Sequence, residues 1–286
     1  MQTEPRTSPT GPLIGAHDLA DRLEEVTVLD VRWRLGGPPG EQEHAAGHVP
    51  GAAYVDLDTA LADPPGAGGR HPLPDPSRLQ DALRAAGVRG DRPVVVYDDW
   101  QGRAAARCWW LLRWAGHEDV RVLDGGWGAW RDTGLDVATG PEVVEPGDLV
   151  VRPGALPTVT ADDLPDVVAT GVVLDARDPA RYAGETEPVD PVAGHVPGAR
   201  NVPTGRNLAA DGRFLEPEAL AEVYAAARDV PVAVYCGSGV TAAHDLLALE
   251  VAGIPGAALY PGSWSEWVRD ADRPVATGHE PGPAAH

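Results

Sequence analysis

Val232-Ala233-Val234-Tyr235-Cys236-Gly237-Ser238-Gly239-Val240-Thr241-Ala242 decides the fold once it is set beside Val94-Val95-Val96-Tyr97-Asp98-Asp99-Trp100-Gln101-Gly102-Arg103. Each stretch is an apolar run ending in tyrosine and then turning. Each also closes a longer repeated order. Leu29-Asp30-Val31-Arg32 and Gly47-His48-Val49-Pro50-Gly51-Ala52 precede the first, and Leu174-Asp175-Ala176-Arg177 and Gly194-His195-Val196-Pro197-Gly198-Ala199 precede the second. The chain is an internal duplication. What both copies carry is expected to serve the fold, and what one copy carries alone is expected to serve function.

A length of 286 residues suits two domains, each able to bury its own core. The repeat places them at 12–140 and 158–278, joined by an extended Pro-, Gly- and Val-rich connector over 141–157. Short β-rich runs alternate with helical stretches, so each domain is expected to be α/β, a parallel sheet flanked by helices. Strands are expected at Val26–Asp30, Val94–Tyr97, Arg121–Leu123, Val172–Asp175, Val232–Tyr235 and Ala257–Tyr260. Helices are expected at Ala16–Glu24, Ser77–Ala86, Arg103–Ala115, Glu216–Arg228 and Val240–Ala252, with a further helix start at Thr160 and Asp163. The tail from Gly278 reads as disordered.

Composition removes several functions. A net charge of −20 repels nucleic-acid phosphates and anionic membranes, so neither is an expected partner. No apolar run is long enough to span a bilayer, and Met1–Pro12 lacks the apolar core of a secretory signal, which points to the cytoplasm. All 23 basic residues are arginine, excluding Schiff-base, pyridoxal-phosphate and P-loop chemistry, each of which needs a lysine. The two cysteines occupy unlike positions in the repeat and do not suggest a disulfide. The nine histidines show no metal-ligand spacing, and no cofactor is expected.

Cys236 follows an apolar strand and precedes a helix, so it is expected at the carboxyl edge of a parallel sheet, where α/β proteins bind ligands. Gly237 and Gly239 let the backbone curl with its N–H groups inward, and the following helix adds its positive end; both favour an anion on sulfur. Gly237-Ser238-Gly239-Val240-Thr241-Ala242 also matches the dinucleotide pattern G-x-G-x-x-A, but no acidic residue closes the next strand to bind a ribose. A cysteine phosphatase would need an arginine at the far end of the loop, where Val240, Thr241 and Ala242 are neutral.

Taken together, D-[VA]-R, G-H-V-P-G-A, Y-C-G-S-G-V-T-A and the final Gly262-Ser263-Trp264-Ser265-Glu266-Trp267 resemble the two-domain rhodanese-type sulfurtransferases over about Leu13–Thr277. The loop is similar to that of the 3-mercaptopyruvate branch. The resemblance implies a non-catalytic first copy, with Asp98 where the cysteine would stand, and a catalytic second copy. There Cys236 would take sulfur from a small-molecule donor as a persulfide, cradled by Gly237, Gly239, Val240 and Thr241. It would pass the sulfur to cyanide or to a thiol, such as a small thiol or a thioredoxin-like protein. It also implies that Ser238 works with His71 and Asp58 of the first copy, and that Arg181 binds the donor. The family's second carboxylate-binding arginine falls at Val189, leaving Arg70 as the candidate replacement. The thiosulfate branch carries basic residues within the loop, whereas this chain has Gly237-Ser238-Gly239. A thiosulfate sulfurtransferase and a non-catalytic persulfide carrier are the alternatives.

His48 and His195 recur in both copies and read as structural, as do Trp127, Trp130, Trp264 and Trp267; Cys108 reads as a core residue on an apolar helix. The Pro- and Gly-rich stretch Asp63–Pro76, which contains His71, is long enough to be functional.

Overall fold

The computed structural model describes residues 11–283. In the first half β1 (Leu13–Ile14), β2 (Thr27–Asp30), β3 (Ala53–Tyr54), β4 (Val94–Tyr97) and β5 (Val120–Leu123) form a parallel sheet ordered β1-β5-β4-β2-β3. In the second half β6 (Val172–Asp175), β7 (Arg200–Asn201), β8 (Val232–Tyr235) and β9 (Ala258–Leu259) form a parallel sheet ordered β7-β6-β8-β9. A single parallel bridge from Thr158 to Leu259 stands where β1 stands in the first sheet. The registers match as well, with Asp30 opposite Tyr97 and Asp175 opposite Tyr235.

The helices are α1 (Ala16–Ala20), α2 (Gly40–Ala46), α3 (Leu57–Ala60), α4 (Pro76–Ala85), α5 (Arg103–Trp114), α6 (Gly126–Asp132), α7 (Leu164–Thr170), α8 (Pro179–Tyr182), α9 (Pro217–Val223), α10 (Ala242–Val251) and α11 (Ser263–Trp267). Among the described residues, none is long and apolar enough to cross a membrane. β4 and β8 are buried along their whole length, as continuous apolar runs in a doubly covered parallel sheet should be.

Several expected elements differ in extent. The helix expected over Ala16–Glu24 stops at Ala20 and continues as turns. That expected over Glu216–Arg228 ends at Val223, and Ala225–Ala227 form one 3₁₀ turn as Tyr224 swings inward to donate its hydroxyl to Asn207 Oδ1 at 2.8 Å. Val240 and Thr241 lie in the loop before α10. The two-residue strands β1, β3 and β7 carry too little sequence to show a period. The tail through Pro283 is ordered rather than loose. Gly278 N–H donates to Ala183 O at 2.8 Å, and Pro281 O accepts from Gly198 N–H at 2.6 Å. Residues 284–286 lie outside the described residues. The connector is stitched to the first half, with Gly147 N–H on Arg84 O at 2.7 Å, Leu149 N–H on Val88 O at 3.2 Å and Arg152 N–H on Ala115 O at 2.8 Å.

The repeated motifs build one device twice. Arg32 grips Asp30 and donates to Gly47 O at 2.7 Å; Arg177 grips Asp175 and donates to Gly194 O at 2.6 Å. Tyr97 and Tyr235 accept from the Val49 and Val196 amides at 3.2 and 3.1 Å. His48 and His195 are buried, and their Nδ1 atoms bond to His44 O and Tyr182 O at 2.7 and 2.9 Å. These histidines fasten turns, in both copies alike.

The halves share a core. One apolar cluster runs from Leu29 and Val96 through Trp109 and Leu112 of α5 and Leu247 of α10 to Leu174 and Val234. Beside it lies a polar knot in which Asp245 is fully buried. Asp245 Oδ1 accepts from Asn207 Nδ2 at 2.8 Å, while Oδ2 has no partner. Burial pushes its carboxyl up to about 8 against the opposing bond from Asn207. The folded protein thus keeps a proton that the unfolded chain sheds near 3.8, so this contribution to stability is full below that pH and is lost as pH rises towards 8. Asp245→Asn should flatten the fall in urea-unfolding stability across that window. A slope unchanged by the substitution would show that the proton sits elsewhere.

Candidate active site

Cys236 is the first residue past β8 and is almost entirely buried, at 1 % exposure. Its backbone is held from three sides. Its N–H donates to Ser263 Oγ at 3.1 Å, its carbonyl accepts from Trp264 N–H at 2.9 Å, and the next carbonyl, Gly237 O, accepts from Ser265 N–H at 2.9 Å. Ser263 has φ +53, a left-handed conformation costly for a side chain with a Cβ. Its counterpart Gly126 has φ +56 and no such cost. The second copy offsets the strain with a hydroxyl that accepts from Cys236 N–H and donates to Tyr260 O at 2.9 Å. Repetition in both copies marks this motif as structural. The sequence signal for its further role is that Gly126 becomes Ser263 only in the copy that has the cysteine.

Sγ accepts the Gly239 N–H at 3.1 Å. Val240 is buried in the shared core and Thr241 leads into α10, so of the expected cradle residues Gly239 is the one bonded to sulfur. The first copy shows what such a loop can hold. There Asp98 fills it with its own carboxylate, Oδ1 accepting from Trp100 and Gly102 N–H, each at 2.8 Å, and Oδ2 from Ala104 and Ala105 N–H at 2.7 and 2.9 Å. The equivalent amides of the second copy belong to Ser238, Val240, Ala242 and Ala243. A loop that rings a carboxylate in one copy is built to ring an anion in the other.

The Asp63–Pro76 stretch crosses to this loop. Arg70 N–H donates to Ser265 Oγ at 3.0 Å, and His71 Nδ1 lies 2.8 Å from Ser238 Oγ. His71 Nε2 lies 3.3 Å from Asp58 Oδ1, and Asp58 Oδ2 accepts from Trp33 Nε1 at 2.9 Å. Trp33 also stands edge-on to the His71 ring at 5.4 Å. Burial lowers His71 to about 4, with Arg107 and Arg70 pushing the same way and Asp58 opposing. The imidazole is therefore neutral at neutral pH. With Asp58 accepting at Nε2, Nδ1 is the free acceptor and Ser238 Oγ–H donates to it. Asp58, His71 and Ser238 thus stand in one hydrogen-bonded line from the surface to the cysteine loop.

A second group stands over Gly237, where a Cβ would lie 2.8 Å from Arg70 Nη2 and 3.5 Å from Arg181 Nη2. Arg181 forks onto Glu187, with Nη2 to Oε1 at 2.6 Å, and reaches Asp190 Oδ2 at 3.2 Å. Arg70 bonds the other oxygen of Asp190, while its Nε is buried without a partner. Burial works against the Glu187 charge, but Arg181 and the amides of Asp190 and Val189 hold its carboxyl below the usual range. Val189 is exposed and lines a cavity of about 410 Å³ together with Arg70, Asp190 and Ser265. Arg70 thus reaches over Gly237 from the other half and stands beside Arg181. Cys108 is free, fully buried and pushed up to about 12 by that burial, which leaves it inert.

The fold and the loop define a tandem α/β domain whose second copy presents a cysteine to an anion-binding turn. The chain belongs to the rhodanese family and is a sulfurtransferase; the rhodanese-like domain profile matches residues 15–133 and 160–270. A relative from Pseudomonas aeruginosa named a probable 3-mercaptopyruvate sulfurtransferase is 48 % identical over 278 residues, 93 % of this chain and 98 % of that protein. A relative from Mycobacterium tuberculosis named thiosulfate sulfurtransferase is 47 % identical over 279 residues, 93 % of this chain and 97 % of that protein. The crystal structure of the 3-mercaptopyruvate enzyme SseA from Escherichia coli superposes with a TM-score of 0.79 at 33 % identity, covering 90 % of this chain and 100 % of that one.

Gly239 has φ +79, and a Cβ there would stand 2.4 Å from Pro261 O. Gly239→Ala must therefore move the loop away from Pro261, on the turn that leads into α11. A shift of about 1 Å at reacting groups costs roughly a hundredfold in rate. The variant should lose about that much kcat and about 1–3 kcal/mol of stability, read by steady-state assay and urea melts. Wild-type kcat would show that the loop geometry does not matter to turnover.

Proposed function

We propose that the protein moves a sulfane sulfur from 3-mercaptopyruvate to a thiol through a persulfide on Cys236. The observation that carries this reading is the Asp58–His71–Ser238 path ending beside the Cys236 loop. Cys236 as thiolate attacks the donor sulfur; the new S–S bond forms as the C–S bond breaks, and the electron pair leaves on carbon as the pyruvate enolate. That carbon needs a proton. Neutral His71 takes the donor thiol proton through Ser238 and returns it to the enolate, so the path ends as it began. An acceptor thiolate then attacks the outer sulfur and releases Cys236. A small thiol or a thioredoxin-like protein suits that step, since the attacking group has only to be a thiolate.

Arg70 and Arg181 are placed to bind the donor carboxylate from the two halves, with Arg70 in the role that Val189 cannot fill. The names of the relatives from Pseudomonas aeruginosa and Escherichia coli support mercaptopyruvate. Thiosulfate is the second reading, favoured by two guanidinium groups that suit a dianion and by the name of the relative from Mycobacterium tuberculosis. A proton path is of use to a carbon leaving group and idle for sulfite, so comparing kcat/KM for the two donors in wild type and Ser238→Ala separates them. Better use of thiosulfate with a silent Ser238→Ala would overturn the mercaptopyruvate reading.

Two further outcomes are expected. Donor treatment should add one sulfur to the wild-type chain by intact mass; Cys236→Ser should abolish both adduct and turnover, and Cys108→Ser should keep most of each. An adduct mapping to Cys108 would sink the assignment. Arg70→Ala should raise KM for mercaptopyruvate roughly tenfold or more with little change in kcat, as loss of one charge-assisted bond of about 1.5–3 kcal/mol implies. Val189→Arg in that background should recover most of the loss, whereas an unmoved KM in Arg70→Ala would take Arg70 out of the donor site.

A further inference from the structure

Arg107 is the one charged residue in Ala104-Ala105-Ala106-Arg107-Cys108-Trp109-Trp110-Leu111-Leu112, in the middle of α5. Its exposure is 0 %, and among the described residues it forms no ion pair. Its partners are carbonyl oxygens from three segments. Nε and Nη2 donate to Leu61 O at 3.4 and 3.3 Å, Nη2 also to His71 O and Pro72 O at 3.3 Å each, and Nη1 to Gly239 O at 3.2 Å. A buried cation without an anion is costly, and packing alone would be better served by an apolar side chain. Gly239 gives the arrangement its direction, because its N–H donates to Cys236 Sγ while its carbonyl accepts from Arg107.

We propose that Arg107, reaching from the first half, is the counter-charge of the Cys236 sulfur anion and the tie that holds the His71 stretch against the cysteine loop. It is a positioning residue, and its part in sulfur transfer rests on the persulfide reading above. Burial pulls the guanidinium down to about 10, so it stays charged at neutral pH, and the one group that opposes this pull is Cys236. The Gly239 peptide carries the coupling, because a cation held at its carbonyl polarises the N–H that it presents to sulfur and so favours an anion there. The other charged groups facing the loop do not fill this role. Arg70 and Arg181 are engaged by Asp190 and Glu187, and His71 is neutral against Asp58.

The test reads the thiol itself, as the rate of Cys236 alkylation by iodoacetamide against pH in a Cys108→Ser background. Arg107→Gln keeps hydrogen-bond donors without charge, and Arg107→Lys keeps the charge with fewer donors. Arg107→Gln should move the profile to higher pH by about one unit or more, so that alkylation near neutral pH slows about tenfold. Arg107→Lys should stay within about threefold of wild type, because the retained charge sets the thiolate fraction. A Gln profile that overlays wild type overturns the proposal, and so does a Lys profile that falls with Gln, since hydrogen bonding would then explain everything. If Arg107→Gln fails to fold, Arg107→Lys decides alone: a retained profile supports the counter-charge and a shifted one removes it. Turnover persisting in Cys236→Ser would overturn the persulfide reading instead, a failure distinct from either alkylation outcome.

Discussion

A buried ion pair two residues apart governs where the cysteine can be. Asp175 ends β6 and Arg177 folds back on it, Nη2 to Oδ2 at 2.5 Å, with Arg177 3 % exposed and Asp175 fully buried. Burial opposes the charge on Arg177, and Asp175 more than restores it. Removing either partner would leave a lone charge in the core, the costliest kind of single change. From this pair the constraint runs outward. The guanidinium donates to Gly194 O, fixing the G-H-V-P-G-A turn, and lies 4.5 Å from the ring centre of Trp264. Trp264 in turn donates its amide to the Cys236 carbonyl. The loop is thus hung from the sheet edge through three rigid groups.

Duplication explains why side chains of the first half meet the cysteine loop of the second. The same pair, turn and tryptophan recur as Asp30, Arg32, the Gly47 turn and Trp127, with the guanidinium 5.0 Å from that ring centre. Both copies therefore present an anion loop at the same sheet edge. In one, Asp98 satisfies the ring of amides permanently and closes it to ligands. That copy is freed to lend its other side chains, and it lends Asp58, His71, Arg70 and Arg107 across the interface. Such lending requires that the halves not slide. The shared cluster through α5 and α10 and the ion pair of Arg113 with Glu250 at 2.8 Å supply that rigidity.

What the sequence revealed follows from what leaves a local trace. β4, β6 and β8 were legible because apolar runs between turns are strong signals, and the strand–Cys236–Gly237 order was legible because glycines mark where a backbone must curl. Ser238, His71 and Asp58 came from family resemblance, and the geometry brings them into one line. Three features escaped. Arg107 is hidden in an apolar helix, and its partners are main-chain carbonyls, which have no sequence signature. The pairing of Arg70 with Asp190 joins residues far apart in the chain, and only the folded interface makes them neighbours. The helix expected to run to Arg228 breaks because one side chain, Tyr224, is needed by Asn207 in the interior, a tertiary demand that local propensity does not contain.

The charge around the loop also bears on which donor fits. The chain as a whole is strongly acidic, at −20, yet the immediate surroundings of Gly237 hold two guanidinium groups. They do not present a bare positive field, because Glu187 and Asp190 take up Arg181 and Asp190 bridges it to Arg70. An incoming anion would have to exchange with a carboxylate already in place. Burial raises Asp190, making it the weaker of the two holders, while Glu187 is kept ionised by Arg181 and two amides. The exchange is therefore easiest at Asp190, the residue that touches both arginines. One carboxylate displacing one carboxylate keeps the count of charges even. A dianion in the same place would leave a negative charge unmatched, which is the electrostatic argument for the single-carboxylate donor of the proposed function.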